Sequence, residues 1–140
     1  PGYKFEIGKG AVLKDGSDVT IAATGLMVQS ALAAADMLEK DGISARVLDM
    51  HTIKPLDREL IIKAAKETGA IVTSEEHNVI GGLGSAVAEC VAESFPVPVL
   101  RHGVMDVFGR SGKASEVLEA YGLTAEKIAE TAKRAVAMKK

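Results

Sequence analysis

Cysteine is almost missing from this chain: Cys90 is the only one in 140 residues. An internal disulfide is thereby excluded, and the usage suits a reducing compartment, so a cytoplasmic location is the expectation. Tryptophan is absent, and three Phe and two Tyr are too few for the stacking platform that single-stranded nucleic acid requires. No charge of either sign dominates. Seventeen basic and nineteen acidic side chains leave a net charge of -2, which gives no electrostatic reason to expect a nucleic acid or an anionic membrane as partner. No uncharged apolar run approaches the ~18 residues of a membrane span. What is present is a chain 47% apolar, without internal repeats or low-complexity segments, long enough to bury one core of its own. It begins Pro1-Gly2-Tyr3 with no Met and no signal-like segment, and so reads as a piece of a longer polypeptide.

The chain alternates between two periodicities. Residues 1–10 are mixed and glycine-punctuated, as a linker from an upstream domain would be, and residues 11–140 read as the domain. Ala11-Val12-Leu13 and Val19-Thr20-Ile21-Ala22-Ala23 are strand candidates on either side of Asp15-Gly16, and the local reading is a hairpin. After Gly25, Met27, Ala31, Ala34, Ala35 and Leu38 recur at helical spacing, with Gly42 as the cap. Ala45 to Met50 reads as a strand running into His51-Thr52-Ile53-Lys54-Pro55. Asp57 is a helix N-cap for Leu60, Ile61, Ala64 and Ala65, and Gly69 closes that helix. Ala70-Ile71-Val72 enters the stretch Thr73 to Gly84 as a strand; a helix with Leu83, Val87, Val91 and, as a further candidate, Ala88 inward leaves it. Val97 to Leu100 is the last strand, with Pro98 favouring a sheet edge. Residues 106–112 form a polar loop, and two short helices follow, one ending before Gly122 and one capped by Thr124 with Ile128, Thr131, Ala132, Ala135 and Val136 on one face. Such alternation predicts an α/β fold with a mostly parallel sheet covered by helices on both faces.

The stretch from Thr73 to Gly84 concentrates the chemistry: Glu75, Glu76 and His77, then Gly81, Gly82 and Gly84, at a strand-to-helix crossing where open α/β sheets bind ligands. The carboxylates and imidazole fit acid/base or metal-ligand work. No second histidine stands at helical spacing, although His51 and His102 each follow a strand and all three could meet at one sheet edge, as Zn²⁺ ligands must. Gly82-Leu83-Gly84-Ser85-Ala86-Val87 half-matches a dinucleotide fingerprint. Its third small position is Val87, and about twenty residues on stands Arg101-His102 rather than an acid, so a tight turn with close helix packing is the favoured reading. Lys54, Arg101 and Arg110 are cations that either hold a phosphate near helix N-termini or serve solvated and inter-domain ion pairs. Cys90 lies mid-helix as a small core residue rather than a nucleophile.

Taken in order, Gly25 after an apolar strand, His51-Thr52-Ile53-Lys54-Pro55-Leu56-Asp57, Glu75-Glu76-His77 with Gly81-Gly82-Leu83-Gly84-Ser85-Ala86, and Phe108-Gly109-Arg110-Ser111-Gly112 leading to Tyr121-Gly122-Leu123-Thr124 resemble the C-terminal domain of the transketolase family. The resemblance covers the chain from about Gly8 onward, and the segment from Phe108 to Thr124 is most similar to the C-terminal subunit of split transketolases. Deoxyxylulose-phosphate synthase is the nearest alternative and the β subunits of 2-oxo acid dehydrogenases a third. The resemblance implies a three-layer α/β/α domain with a five-stranded sheet in the order 1-3-2-4-5, its first strand antiparallel at an edge, which overrides the hairpin. It also implies a parent enzyme that transfers a two-carbon ketol unit between sugar phosphates with thiamine diphosphate and Mg²⁺. The family's diphosphate- and metal-binding signature and its catalytic glutamate lie in other domains, so no catalytic, cofactor-binding or metal residue is carried onto this chain. The expected role is structural: partnering upstream transketolase domains, in the same or a separate chain, and supporting a homodimer. Lys54, Glu76, His77, Gly81, Gly82, Arg101 and Arg110 are the candidate interface residues. A stand-alone nucleotide- or phosphate-binding module and a free-standing interaction domain are the readings from other classes.

Overall fold

Strand Val19–Ala23 (β2) is buried at every position, and a segment with no solvent face belongs at the centre of a covered sheet. In the computed structural model, which describes residues 9–25, 27–50, 56–76, 82–104 and 114–139, β2 lies between two parallel neighbours. They are Ala45–Asp49 (β3), with Val19 opposite Ala45, and Ile71–Glu76 (β4), with Thr20 opposite Ile71. Strand Val99–Val104 (β5) extends the sheet beyond β4, again parallel. Strand Ala11–Lys14 (β1) runs antiparallel along β3 with an irregularity between Val12 and Lys14, and the order is β1-β3-β2-β4-β5.

The hairpin of the local reading is therefore not formed. β1 is half exposed and suits an edge, where its bulge also blunts further pairing; β2, apolar on both faces, takes the centre. The fifth strand runs Val99–Val104 rather than Val97 to Leu100, with Pro98 just outside it, where its carbonyl accepts from Ile71 N–H at 2.9 Å. His102 accordingly lies within the strand rather than after it.

Helices Met27–Lys40 (α1) and Ala114–Ala137 (α4) cover one face, and Arg58–Thr68 (α2) and Leu83–Ser94 (α3) the other. Small residues let α1 and α4 approach closely: Ala31, Ala34 and Ala35 share one core with Ala129, Ala132 and Ala135 over Ile21, Val47 and Val72. The second core joins Ile61, Ala64 and Ala65 of α2 to Leu83, Val87, Cys90 and Val91 of α3 over Ala22, Leu48 and Ile71; Ala88 is only partly buried. After α1, the Gly42 N–H reaches Glu39 C=O and the Ile43 N–H reaches Leu38 C=O, the paired bonds of a Schellman cap. Asp57 caps α2 and Gly69 closes it, as the sequence indicates. The two short C-terminal helices are instead one helix, so Thr124 is an interior residue and not a cap. A glycine such as Gly122 inside a helix costs only about 1 kcal/mol, less than leaving two new helix ends uncapped.

Candidate functional site

The parallel strands β3, β4 and β5 end at Asp49, Glu76 and Val104, which mark the carboxyl edge of the sheet. Among the described residues, Glu75, Glu76 and Gly82 of those singled out from the sequence stand at this edge. Along β4 the side chains alternate: Thr73 and Glu75 point to the α2/α3 face with Ile71, and Ser74 to the α1/α4 face with Val72.

Glu75 is 2% exposed, and a buried carboxylate needs partners. It has them in the first turn of α3: Oε2 accepts from Gly84 N–H at 2.7 Å and Oε1 from Leu83 N–H at 3.2 Å. Gly82, the N-cap residue, has no side chain with which to do this. The anion position that a strand–glycine–helix crossing offers to a phosphate is thus filled by the protein's own carboxylate. Glu75 spends both oxygens there and is not a free acid or base. The glycines serve packing: a Cβ on Gly84 would stand 3.0 to 3.2 Å from Cδ, Cγ and Nε of Arg101, so the stem of that exposed arginine lies across the start of α3.

On the opposite face His102, 9% exposed, sits with Nδ1 3.3 Å from Ser74 Oγ. Burial, and secondarily the Lys127 ammonium, lower its pKa from the ordinary 6.5, which keeps the ring neutral near pH 7. As pH falls, the unfolded chain takes up this proton before the folded one, so the contribution to stability is complete above about pH 6.5 and is lost as pH drops through the lowered value. Urea midpoints measured from pH 7.5 down to pH 5 should decline for the wild type and decline less for His102→Gln. Parallel curves would show that His102 is not the group responsible.

Lys54, His77, Gly81 and Arg110 lie outside the described residues, as does His51, and of Glu76 the structure describes only its place as the last residue of β4. Gly82, Arg101 and Glu75 are brought together around α3. Among the described residues no group of three or more His, Cys, Asp or Glu is placed to hold a metal ion. Cys90 is buried, and burial raises its pKa, which fits a core residue. Two open grooves, of about 430 Å³ between Phe95, Pro98 and Met138 and about 370 Å³ on the outer side of α2, lie away from this edge. Sequence reasoning missed the capping role of Glu75, because its partner helix starts eight residues later rather than at capping-box spacing.

A family model described as the transketolase C-terminal domain matches residues 8–128. The chain is 51% identical over 129 residues to a 6-deoxy-6-sulfo-D-fructose transketolase subunit of a Clostridium species, covering 92% of this chain and 40% of that protein. It is 50% identical over 128 residues to a 1-deoxy-D-xylulose-5-phosphate synthase of Heliobacterium modesticaldum, covering 91% of this chain and 20% of the synthase. A solved structure described as a split-gene transketolase, an inactive β4 tetramer, superposes with a TM-score of 0.86 at 54% identity, over 100% of this chain and 46% of that one. The chain thus spans less than half the length of each of these relatives. Its strand order, antiparallel edge strand and matched length agree with one assignment: this chain belongs to the transketolase C-terminal domain family.

Proposed function

We propose that the chain is the non-catalytic C-terminal domain of a thiamine diphosphate-dependent transketolase, whose reaction is the transfer of two-carbon ketol units between sugar phosphates. The observation that carries the reading is the occupancy of the α3 N-terminus by Glu75. Among the described residues the backbone N–H groups best placed for a phosphate already hold a carboxylate, and no group of three or more His, Cys, Asp or Glu is placed to hold a metal ion. The same occupancy argues against a stand-alone nucleotide module. Within the parent, this domain holds neighbouring domains and the second subunit in place, which a cofactor clamped between domains requires. Lys54, Glu76, His77, Gly81, Gly82, Arg101 and Arg110 form its docking edge, and dimer dissociation in the parent is the readout for alanine variants among them. No helix among the described residues is long and apolar enough to cross a membrane, and the lone buried cysteine suits the cytoplasm.

The relation to 1-deoxy-D-xylulose-5-phosphate synthase supports a second reading, the same domain in that enzyme. Assay of the parent for two-carbon transfer between sugar phosphates separates the two. For the domain itself, titration calorimetry with thiamine diphosphate and Mg²⁺, then with ATP and NAD, should give no saturable heat. Saturable nucleotide binding would replace this reading with the phosphate-module one.

A further inference from the structure

The carboxylate of Asp57 serves two segments at once. Its Oδ1 accepts from Leu60 N–H at 3.2 Å, which caps α2; its Oδ2 accepts from Gly10 N–H at 3.0 Å, 47 residues away in sequence. Capping alone needs one oxygen and is done equally well by serine. Gly10 is wedged against the same place: a Cβ there would stand 2.7 Å from Leu60 Cδ2, 2.9 Å from Met50 Sδ and 3.2 Å from the Asp49 carbonyl oxygen. The next residue, Ala11, begins β1 opposite Asp49, so the chain enters the domain at the carboxyl edge of the sheet.

We propose that Asp57 and Gly10 form a latch that fixes the direction in which the chain enters, and through it the placement of the preceding domain over the carboxyl edge. This rests on the reading of the chain as a C-terminal domain. β1 is a four-residue edge strand with an irregular register, a weak anchor on its own. The latch adds a charge-assisted bond before it, and Lys9 just ahead of it is exposed. Asp57 is a positioning residue here and touches no substrate.

Two measurements decide it. In Asp57→Ser the hydroxyl still caps α2 but is too short to reach Gly10, so tryptic cleavage after Lys9 should accelerate about tenfold, the loss of one hydrogen bond to a charged group, with the urea midpoint lowered by no more than that one bond. Gly10→Ala, which pushes on the latch from its other side, should accelerate the same cleavage. Equal cleavage rates in wild type and Asp57→Ser overturn the latch. In the parent enzyme, Asp57→Ser should lower kcat about fivefold at unchanged KM, since small misplacements between domains cost rate rather than substrate affinity. Wild-type kcat in a variant whose linker is cleaved faster overturns the positioning role. A wild-type parent with no ketol transfer overturns the transketolase reading instead and leaves the cleavage result to judge the latch alone.

Discussion

Glu75→Ala should cost about 3 kcal/mol of folding stability, near 10 °C in melting temperature for a chain of this size. The substitution removes the acceptor for two backbone N–H groups in the first turn of α3, and Gly82 has no side chain to replace it. It also empties the space of a side chain that is 2% exposed, in a region where Leu83 and Gly84 are buried. Both effects act on the same element, so they add to one loss. Glu75→Gln keeps the volume and one acceptor oxygen, and should lose only about half as much. Urea unfolding of the two variants checks the ordering. If alanine and glutamine cost the same, volume and hydrogen-bond count are irrelevant and the cap is not what holds α3. Loss of the cap should also show first at that helix, as faster amide exchange at Leu83 and Gly84 than in α1 or α4.

How much of this was legible beforehand depends on the distance over which each residue acts. Helix α2 was readable to the residue, because Asp57 and Gly69 act on backbone groups within one turn. The amphipathic faces of α1 and α3 were readable for the same reason: burial at Met27, Ala31, Ala34 and Leu38, or at Leu83, Val87 and Val91, follows a local period. Strand partnership was not local. Asp15-Gly16 between two apolar runs has the composition of a hairpin turn, and only the covered faces of β2 weigh against it; the family pattern, not the periodicity, supplied the order 1-3-2-4-5. The candidate site was legible in place but not in use. Glu75 and Gly84 were put at a strand-to-helix crossing, yet no capping-box spacing announces that the carboxylate folds back onto a helix starting eight residues later. The second partner of Asp57 was invisible because Gly10 lies 47 residues away in sequence.

Gly16→Ala should be the most damaging single-methyl change in the described part of the chain, costing about 3 kcal/mol or more. The composition of Asp15-Gly16 suggests a glycine kept for a left-handed turn, but among the described residues the positive-φ glycines are Gly25, Gly42 and Gly69, and Gly16 is not one of them. Its reason is contact. Residues 15–18 cross the start of β3 on their way from the sheet edge to its centre, and a Cβ at Gly16 would lie 2.3 to 2.5 Å from Ala45 C, Ala45 O and Arg46 N. Those are backbone atoms of a strand held in register by β2, with Ala45 opposite Val19 and Arg46 opposite Thr20, so they cannot swing away as a side chain would. Nor can the connection lift freely. Ser44 Oγ accepts from Ser17 N–H at 3.2 Å, Ser44 C=O from Asp18 N–H at 2.8 Å, and Asp18 Oδ2 from Ser44 N–H at 2.7 Å. Arg46 adds a charged tie, with Nε 3.0 Å from Asp15 Oδ1 and Nη2 2.7 Å from Glu67 Oε1. To admit one methyl group the chain must break several of these bonds or shift β3 against β2. Either route predicts a variant with a lowered urea midpoint and faster amide exchange in β1 and at Ser44 to Arg46. A Gly16→Ala protein as stable as wild type would mean that the crossing is looser than its hydrogen bonds indicate, and that β1 contributes less to the sheet than its pairing with β3 implies.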